Sequence, residues 1–445
     1  MPFGYLQGPL SELTAPNRRM LVSRLFNAIA ASVTAAFLVM PAWAQQPPPA
    51  KNWKDRGEYD LYVSITKEAD PSKQLALLDS WKQKYPQTDY APERYQFYIS
   101  VYQKLNQAPK IIETAKEMIA ADPKAFQGLY WISFLTPGMN DNSPAALEAG
   151  EKAGNGLIAV LDDFFSADKK PENMTPEQWK SARETTESVA HKVLGWVDMQ
   201  NKQGEEAAKH LRRSLELNPK QGEVSYWVGT SLLMAKKPEV YPEALYHFAR
   251  AASYDGEGAL NPQGRKQVGD YFTKVYTTYH GSRDGLDELL VQAKAAPFPP
   301  EGFTVKSAAV IAFEKQEALK QSNPQLALWL GIKGGLAGDG SDEYFAKMKG
   351  FELPKLKGKV VSQTPEKKPT QVVVSLEDGV TPEVTLKFDA ALANPAPHGS
   401  VIEFTGVAST FTREPFMLTL DMTKDKLEGW PAPAPPPKKK AKAKK

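Results

Sequence analysis

The chain has 445 residues, 42% of them hydrophobic, and 55 basic residues nearly balance 52 acidic ones for a formal net charge of +3. It contains no cysteine, which excludes disulfide bonds, thiol nucleophiles, cysteine zinc sites and iron–sulfur clusters. Six lysines lie within the last eight residues, so the body of the chain is mildly acidic. Because nucleic-acid-binding domains carry basic charge on the folded body, we expect no nucleic-acid partner.

Residues 1–44 have the three parts of a bacterial secretory signal. Arg18, Arg19 and Arg24 form the basic part, residues 28–40 form an apolar run, and an Ala-Trp-Ala sequence ends at Ala44, where cleavage is expected. The apolar run is shorter than the roughly 20 residues that span a membrane. The sequence therefore predicts an exported protein, periplasmic or secreted, with no transmembrane segment in the mature chain.

Residues 45–58 are predicted to be a linker, and residues 59–300 a helical domain in which a pattern recurs about every 34 residues. The first copy spans residues 92–123 and places three tyrosines on its first helix. Ile99 and Ile111 stand where the other copies have small residues. We therefore expect the two helices of this copy to cross at a wider distance.

The repeat loses its register between residues 124 and 187. Apolar periodicity predicts helices over residues 145–165 and 176–197 there. Pro171 and Pro176 bracket the loop that separates them. This region is expected to be helical without being a further regular copy.

The clearest copy of the repeat runs from residue 188 to residue 221. Its anchor positions are His191, Leu194, Gly195, Ala207, Leu211 and Pro219. Gly195 on the first helix and Ala207 on the second are small, so the two backbones can approach closely where the helices cross. A large residue at either position would separate them.

The next copy begins at Gly222 and repeats the small pair as Gly229 and Ala244. These two residues are 15 positions apart, against 12 in the preceding copy, which predicts a longer turn at residues 236–238. A weaker copy is expected over residues 266–297, with a glycine-containing turn between its helices.

These spacings resemble the tetratricopeptide repeat (TPR) pattern of aromatic-x-x-Leu-Gly, Ala-x-x-x-Phe and a closing Pro. The chain is similar to an exported bacterial TPR protein. The resemblance implies a mainly α fold, a TPR-like α-solenoid of helix hairpins, and a non-enzymatic scaffold that binds a protein or peptide partner.

In TPR proteins the concave surface is lined by particular positions of each first helix. The resemblance places six such residues in a partner-binding groove: Lys192, Trp196, Met199, Tyr226, Thr230 and Leu233. A mostly apolar groove with one cation would suit an extended or helical peptide. The alternative, that Trp196 and Leu233 pack against adjacent helices, is equally open at this point.

Residues 301–352 are predicted to be a helical connector, with helices over 307–320 and 324–336. Residues 353–430 then change to an alternating pattern typical of strands. Five strands are expected, over residues 359–362, 371–376, 384–388, 401–407 and 416–422. Their number and the long link between the third and fourth resemble a small OB-like β domain, so we expect a five-stranded barrel or sandwich.

An alternative function comes from this second half. OB-like barrels bind ligands on exposed aromatic residues, for which Phe388, Phe404, Phe411 and Phe416 are the candidates. Core packing is the competing role for all four in so small a domain. Residues 431–445 form a disordered Pro/Lys tail that could contact an anionic envelope polymer. The alternative is thus a glycan- or polymer-binding module.

The usual signatures of catalysis are missing from the sequence. No two of the five histidines lie within five residues of each other, and neither a zinc-protease spacing nor a phosphate-binding loop occurs. His191 and His210 lie on the two helices of one predicted hairpin, where they could approach each other, and packing is the role expected of them. We therefore predict no catalytic residue, no metal, no cofactor and no enzymatic activity.

Overall fold

A computed structural model describes residues 51–431. The predicted signal peptide and all but the first residue of the predicted tail lie outside the described residues. The described chain divides between Ser307 and Ala308 into two compact units. The predicted connector is not a separate body, because its helices after Ser307 belong to the same unit as the strands.

The first unit is built from α-helices. They are α1 (Arg56–Lys67), α2 (Pro71–Lys84), α3 (Ala91–Lys104), α4 (Ala108–Ala121), α5 (Phe126–Met139), α6 (Pro144–Phe164), α7 (Pro176–Gln200), α8 (Gly204–Leu217), α9 (Gly222–Met234), α10 (Tyr241–Ser253), α11 (Pro262–His280) and α12 (Leu286–Ala295). From α1 to α10, every helix packs on the next one in sequence. This confirms the mainly α class and the predicted succession of helix hairpins.

Several of these helices begin where the sequence provides a cap and a proline. The side chains of Asp70, Ser143 and Asn261 accept hydrogen bonds from backbone amides of the first turn, and proline follows each of them. Thr175 and Gln178 form a reciprocal capping box at the start of α7. The helices predicted over 145–165 and 176–197 are confirmed as α6 and α7, although α7 continues to Gln200.

The two clearest hairpins cross at glycine. A Cβ atom on Gly195 would lie 2.5 Å from Leu211 Cγ and 3.1 Å from the carbonyl oxygen of Ala207. A Cβ atom on Gly229 would lie 3.0 Å from the carbonyl oxygen of Ala244. Backbone therefore meets backbone in both hairpins, which confirms the register predicted from the small residues.

The longer turn of the second hairpin is also present. The chain forms a short 3-10 helix, Pro238–Val240, between α9 and α10. Lys236 precedes it with a φ of 56°, in the left-handed region. The three additional residues are thus accommodated outside the helices, as expected for an insertion between them.

The weaker copy at residues 266–297 differs from the prediction. Its two helices exist as α11 and α12, but both pack mainly on α10 rather than forming a hairpin with each other. Buried Arg250 of α10 donates hydrogen bonds to the carbonyl oxygens of Pro219 and Ala293, 2.9 and 3.2 Å away. A buried side chain that bonds three chain segments together favours this arrangement over a fourth regular hairpin.

The second unit contains three helices and a sheet. The helices are α13 (Ala308–Ser322), α14 (Pro324–Ala337) and α15 (Ser341–Met348). The strands are β1 (Leu356–Thr364), β2 (Gln371–Ser375), β3 (Val384–Phe388), β4 (Val401–Phe404), β5 (Val407–Thr412), β6 (Met417–Met422) and β7 (Leu427–Glu428). Their order in the sheet is β5-β6-β3-β2-β1-β4-β7, and only the β3–β6 pair is parallel.

The sheet has seven strands and is open. This corrects both the strand number and the closure that were expected for a five-stranded barrel or sandwich. The strand predicted over 401–407 is interrupted after Phe404. β4 pairs with β1, whereas β5 pairs with β6 at the far edge. A Cβ atom on Gly406 would lie 2.9 Å from Leu420 Cβ, so the chain can make this transition only where a residue lacks a side chain.

A buried carboxylate holds α14 to the sheet of this unit. Glu383 is 1% exposed and accepts hydrogen bonds from Lys333 Nζ of α14 and from the backbone amide of Leu376, at 2.7 and 2.6 Å. Burial by itself would raise the pKa of Glu383, but these hydrogen bonds outweigh it and hold the pKa below its ordinary value.

The glycine crossing can be tested by substitution. We expect Gly195→Leu to destabilise the helical unit by about 1–3 kcal/mol or more, because a larger side chain overlaps Leu211 and the neighbouring backbone. Gly138→Leu in α5 is the matched control, since Gly138 is exposed and a Cβ atom there meets nothing within 4 Å. Urea unfolding followed by circular dichroism measures both. Equal midpoints for Gly195→Leu and the wild type would contradict the close crossing.

Candidate functional site

The six residues of the predicted groove lie on α7 and α9, the first helices of two successive hairpins. Trp196, Met199 and Tyr226 are buried, with 4%, 4% and 6% of their surface exposed. Trp196 belongs to a small apolar cluster that includes Val193 and Val197. These three side chains contribute to packing between helices, as the alternative interpretation of Trp196 expected.

Lys192, Thr230 and Leu233 are half-buried and remain partly open to solvent. Lys192 Nζ lies 2.9 Å from Glu223 Oε2 and 5.1 Å from the centre of the Trp227 ring. The cation on α7 is therefore neutralised by a carboxylate on α9 and covers an aromatic ring. The surface combines an ion pair with apolar contact area.

Sequence reasoning did not select Trp227 for the groove, because the repeat positions taken from the resemblance skip it. Its partly buried ring packs on two apolar clusters while one face lies under Lys192. Lys192 and Glu223 carry opposite charges on neighbouring first helices. Their pairing is the signal in the sequence that could have located Trp227. Leu233 packs against the larger apolar cluster, and Thr230 Oγ1 donates to the carbonyl oxygen of Tyr226 at 2.9 Å.

Two histidines meet on the same hairpin. His191 of α7 and His210 of α8 place their Nδ1 atoms 2.9 Å apart, at a cleft of about 380 Å³. The other residues that line this cleft are Lys209, Arg212, Arg213 and Glu216. One ring must donate and the other accept in this contact, so the two rings cannot both be protonated there.

Burial and the neighbouring His210 lower the pKa of His191 to about 4. His247, on α10, is fully buried, and burial lowers its pKa as well. Its Nε2 atom lies 3.7 Å from Glu243 Oε1, beyond hydrogen-bond distance. Burial alone would raise the pKa of Glu243, but His247 and Arg212 lower it to about 2.

Within residues 51–431, no three histidine, aspartate or glutamate side chains are grouped so that they could hold a metal ion. Across that same range, the helices are too short or too polar for any of them to cross a membrane.

The aromatic candidates of the sheet are mostly internal. Phe388 and Phe404 are 6% and 0% exposed and belong to the core of the second unit. Phe416 packs edge-on against Trp329 with ring centres 6.0 Å apart, and Phe411 packs beside Phe345. These contacts agree with core packing, the competing role expected from the sequence.

Comparison with known proteins gives similarities to solved structures. No protein-family model matches the chain, and no curated protein matches it. Among solved structures, it is similar to a thermophilic TPR protein from Thermus thermophilus, with 16% sequence identity and a TM-score of 0.26. The similarity covers 49% of this chain and 97% of that one. The consecutive hairpins of the helical unit are visible in its own helix packing, independently of this similarity.

The buried histidines predict that acid destabilises the helical unit. An unfolded histidine titrates near pH 6.5, whereas the folded pKa of His191 is about 4 and that of His247 is also lowered. As the pH falls through this interval, the unfolded chain binds more protons, so stability present above about pH 6.5 is lost.

We expect the urea midpoint of the helical unit to fall between about pH 7.5 and pH 5, and His247→Leu to reduce that dependence because it removes a buried titrating group. His398→Gln, in the second unit, is the control for replacing a histidine outside the helical unit and should leave the urea midpoint of the helical unit unchanged. The measurement stays above about pH 5 to keep Glu243 ionised. Burial raises the pKa of Asp198 on α7 to about 6, so its protonation stabilises the folded chain in this interval, and all variants therefore carry Asp198→Asn. A midpoint that does not change with pH in the wild type would refute this role for the histidines.

Proposed function

We propose that this chain is an exported, non-enzymatic TPR-type scaffold that holds a protein or peptide partner in the bacterial cell envelope. The observation that carries the proposal is the pair of successive hairpins at residues 188–253, which place two first helices, α7 and α9, side by side. Stacked hairpins of this kind bind partners on the surface that their first helices share.

The surface between α7 and α9 has the chemistry of a peptide site. Lys192, Glu223 and Trp227 combine a salt bridge with an aromatic ring, and Thr230 and Leu233 continue the same helix. A bound segment can exchange its own charges with the Lys192–Glu223 pair while covering the ring and Leu233. Trp196, Met199 and Tyr226 support this surface from beneath by packing.

The partner is proposed to be a protein or peptide rather than a cofactor or nucleic acid. The mildly acidic body of the chain disfavours a polyanionic partner on the helical unit. An anionic envelope polymer remains a proposed partner of the Lys-rich tail, which lies outside the described residues.

The groove is tested by affinity capture from bacterial envelope extracts. We expect the double variant Lys192→Glu, Leu233→Asp to lose the main protein that the wild-type chain retains, because it breaks the ion pair and charges the apolar contact. Lys180→Glu and Val291→Asp are matched controls, since both side chains are largely exposed outside this surface. Quantitative mass spectrometry of the retained proteins measures the difference.

A partner that both the groove variant and the controls retain equally would place the binding surface elsewhere. If the groove variant alone loses its partner while its circular dichroism spectrum is unchanged, the contact surface is the one proposed. The unchanged spectrum is what separates a binding defect from a folding defect.

Export is tested on the chain expressed in a bacterial host from its first methionine. We expect the purified protein to begin at Gln45 and to be recovered from the periplasm or medium, because the small residues before Gln45 fit a signal-peptidase site. Intact-mass measurement and N-terminal sequencing determine the first residue. A protein that keeps the residues before Gln45 and stays in the cytoplasm would exclude export.

A further inference from the structure

Residues 51–54 form an N-terminal arm that packs against α1 and the start of α3. The arm contributes one aromatic anchor, Trp53. The Trp53 ring stacks on the Tyr90 ring, with centres 3.6 Å apart and planes 6° from parallel. Tyr59 approaches it edge-on at 5.6 Å, and Tyr62 approaches it at a tilt at 5.1 Å. Trp53 is therefore held by aromatic rings from α1 and from the residue that precedes α3.

The groove beneath Trp53 has an aromatic floor. Tyr62 contacts the rings of Trp81 and Phe97 edge-on, at 6.0 and 5.8 Å between centres. Trp81 is fully buried, whereas Trp53, Tyr62 and Phe97 are partly exposed. The rings below Trp53 are thus fixed by the core of the first hairpins and form a preorganised surface for a flat side chain.

The arm is also held by acidic groups around this floor. Lys51 forms an ion pair with Glu93, and the backbone amide of Asn52 donates to Asp89 Oδ2 at 3.2 Å. At the other end of the arm, the backbone amide of Lys54 donates to Glu58 Oε2 at 2.7 Å. The acidic rim matches the charge of Lys51, which lies two positions before Trp53 in the arm.

Proteins bind separate extended peptides through contacts of the same types. The arm uses one aromatic anchor, one charged side chain and its own backbone amides, and it has no regular secondary structure. Glu58 also accepts a hydrogen bond from Trp81 Nε1 at 2.9 Å, so one buried carboxylate joins the arm to the floor.

We propose that the aromatic groove of α1 and α3, defined by Tyr59, Tyr62, Tyr90, Phe97 and Glu93, is a second peptide-binding site that the arm occupies as an internal ligand. Its external ligand is an extended segment with a lysine two positions before a tryptophan, as in the arm itself. Such a segment can bind only when the arm leaves, so the arm reduces the apparent affinity of the groove. This site is separate from the surface between α7 and α9.

The test uses a fluorescein-labelled peptide with the sequence of residues 50–56, Ala-Lys-Asn-Trp-Lys-Asp-Arg, and the full chain. We expect Trp53→Ala to bind this peptide at least about tenfold more tightly than the wild type, because the groove is no longer occupied. The same peptide with alanine in place of tryptophan is expected not to bind. Fluorescence anisotropy gives the dissociation constants.

Further variants separate an occupied site from a purely structural contact. Glu93→Gln in the Trp53→Ala chain should weaken peptide binding, because it removes the partner of the peptide lysine. Lys51→Glu releases the arm by repulsion from Glu93 without removing any aromatic ring, and should also increase peptide affinity over the wild type. It serves as the second route if Trp53→Ala fails to fold.

Two results would overturn the proposal. One is a folded Trp53→Ala or Lys51→Glu chain that does not bind the peptide, which would make the arm a structural segment only. The other is equal affinity of the wild type and both variants, which would show that the peptide binds somewhere the arm does not cover. Loss of the partner captured through Lys192 and Leu233 is measured independently and bears on neither result.

Discussion

The helical unit depends on the closeness with which paired helices cross. At Gly195 and Gly229 the backbone of one helix touches the backbone of the next, and no side chain larger than hydrogen fits between them. Helices at this separation bury their apolar faces completely, as the fully buried Ala207, Leu211 and Ala244 show. The hairpins closed by these crossings contain α7 and α9, whose half-buried Lys192 and Glu223 form the ion pair that is proposed to meet a partner.

Buried polar groups determine how the chain packs where the regular succession of helix hairpins ends. Arg250 donates to the carbonyl oxygen of Pro219 in a loop and to that of Ala293 in α12, which holds α12 on α10. Glu383 has the corresponding role in the second unit, where it joins α14 to the turn between β2 and β3. Such groups are costly to bury unless each is hydrogen-bonded, so the arrangement of segments around them is strongly constrained. Neither residue belongs to a repeat pattern.

The two proposed binding surfaces use the same helical architecture differently. Between α7 and α9, Lys192 is already paired with Glu223 and covers Trp227, so a partner must exchange contacts that exist. At α1 and α3, the rings stay fixed while a short extended segment of the chain covers them. A solenoid permits both, because each pair of first helices presents its own side chains on a common scaffold.

The sequence by itself determined that the first unit is a succession of helices and where the two glycine crossings lie, since these depend on residues close together in the chain or at a fixed spacing. It also placed His191 near His210, in agreement with the contact between their rings. Tertiary structure alone decided that Trp196 and Tyr226 are buried, that α12 packs on α10, and that the strand predicted over 401–407 divides between the two edges of an open sheet. Those outcomes depend on which distant segments cover an apolar side chain or pair with a strand. Local spacing in the sequence does not show which segments these are.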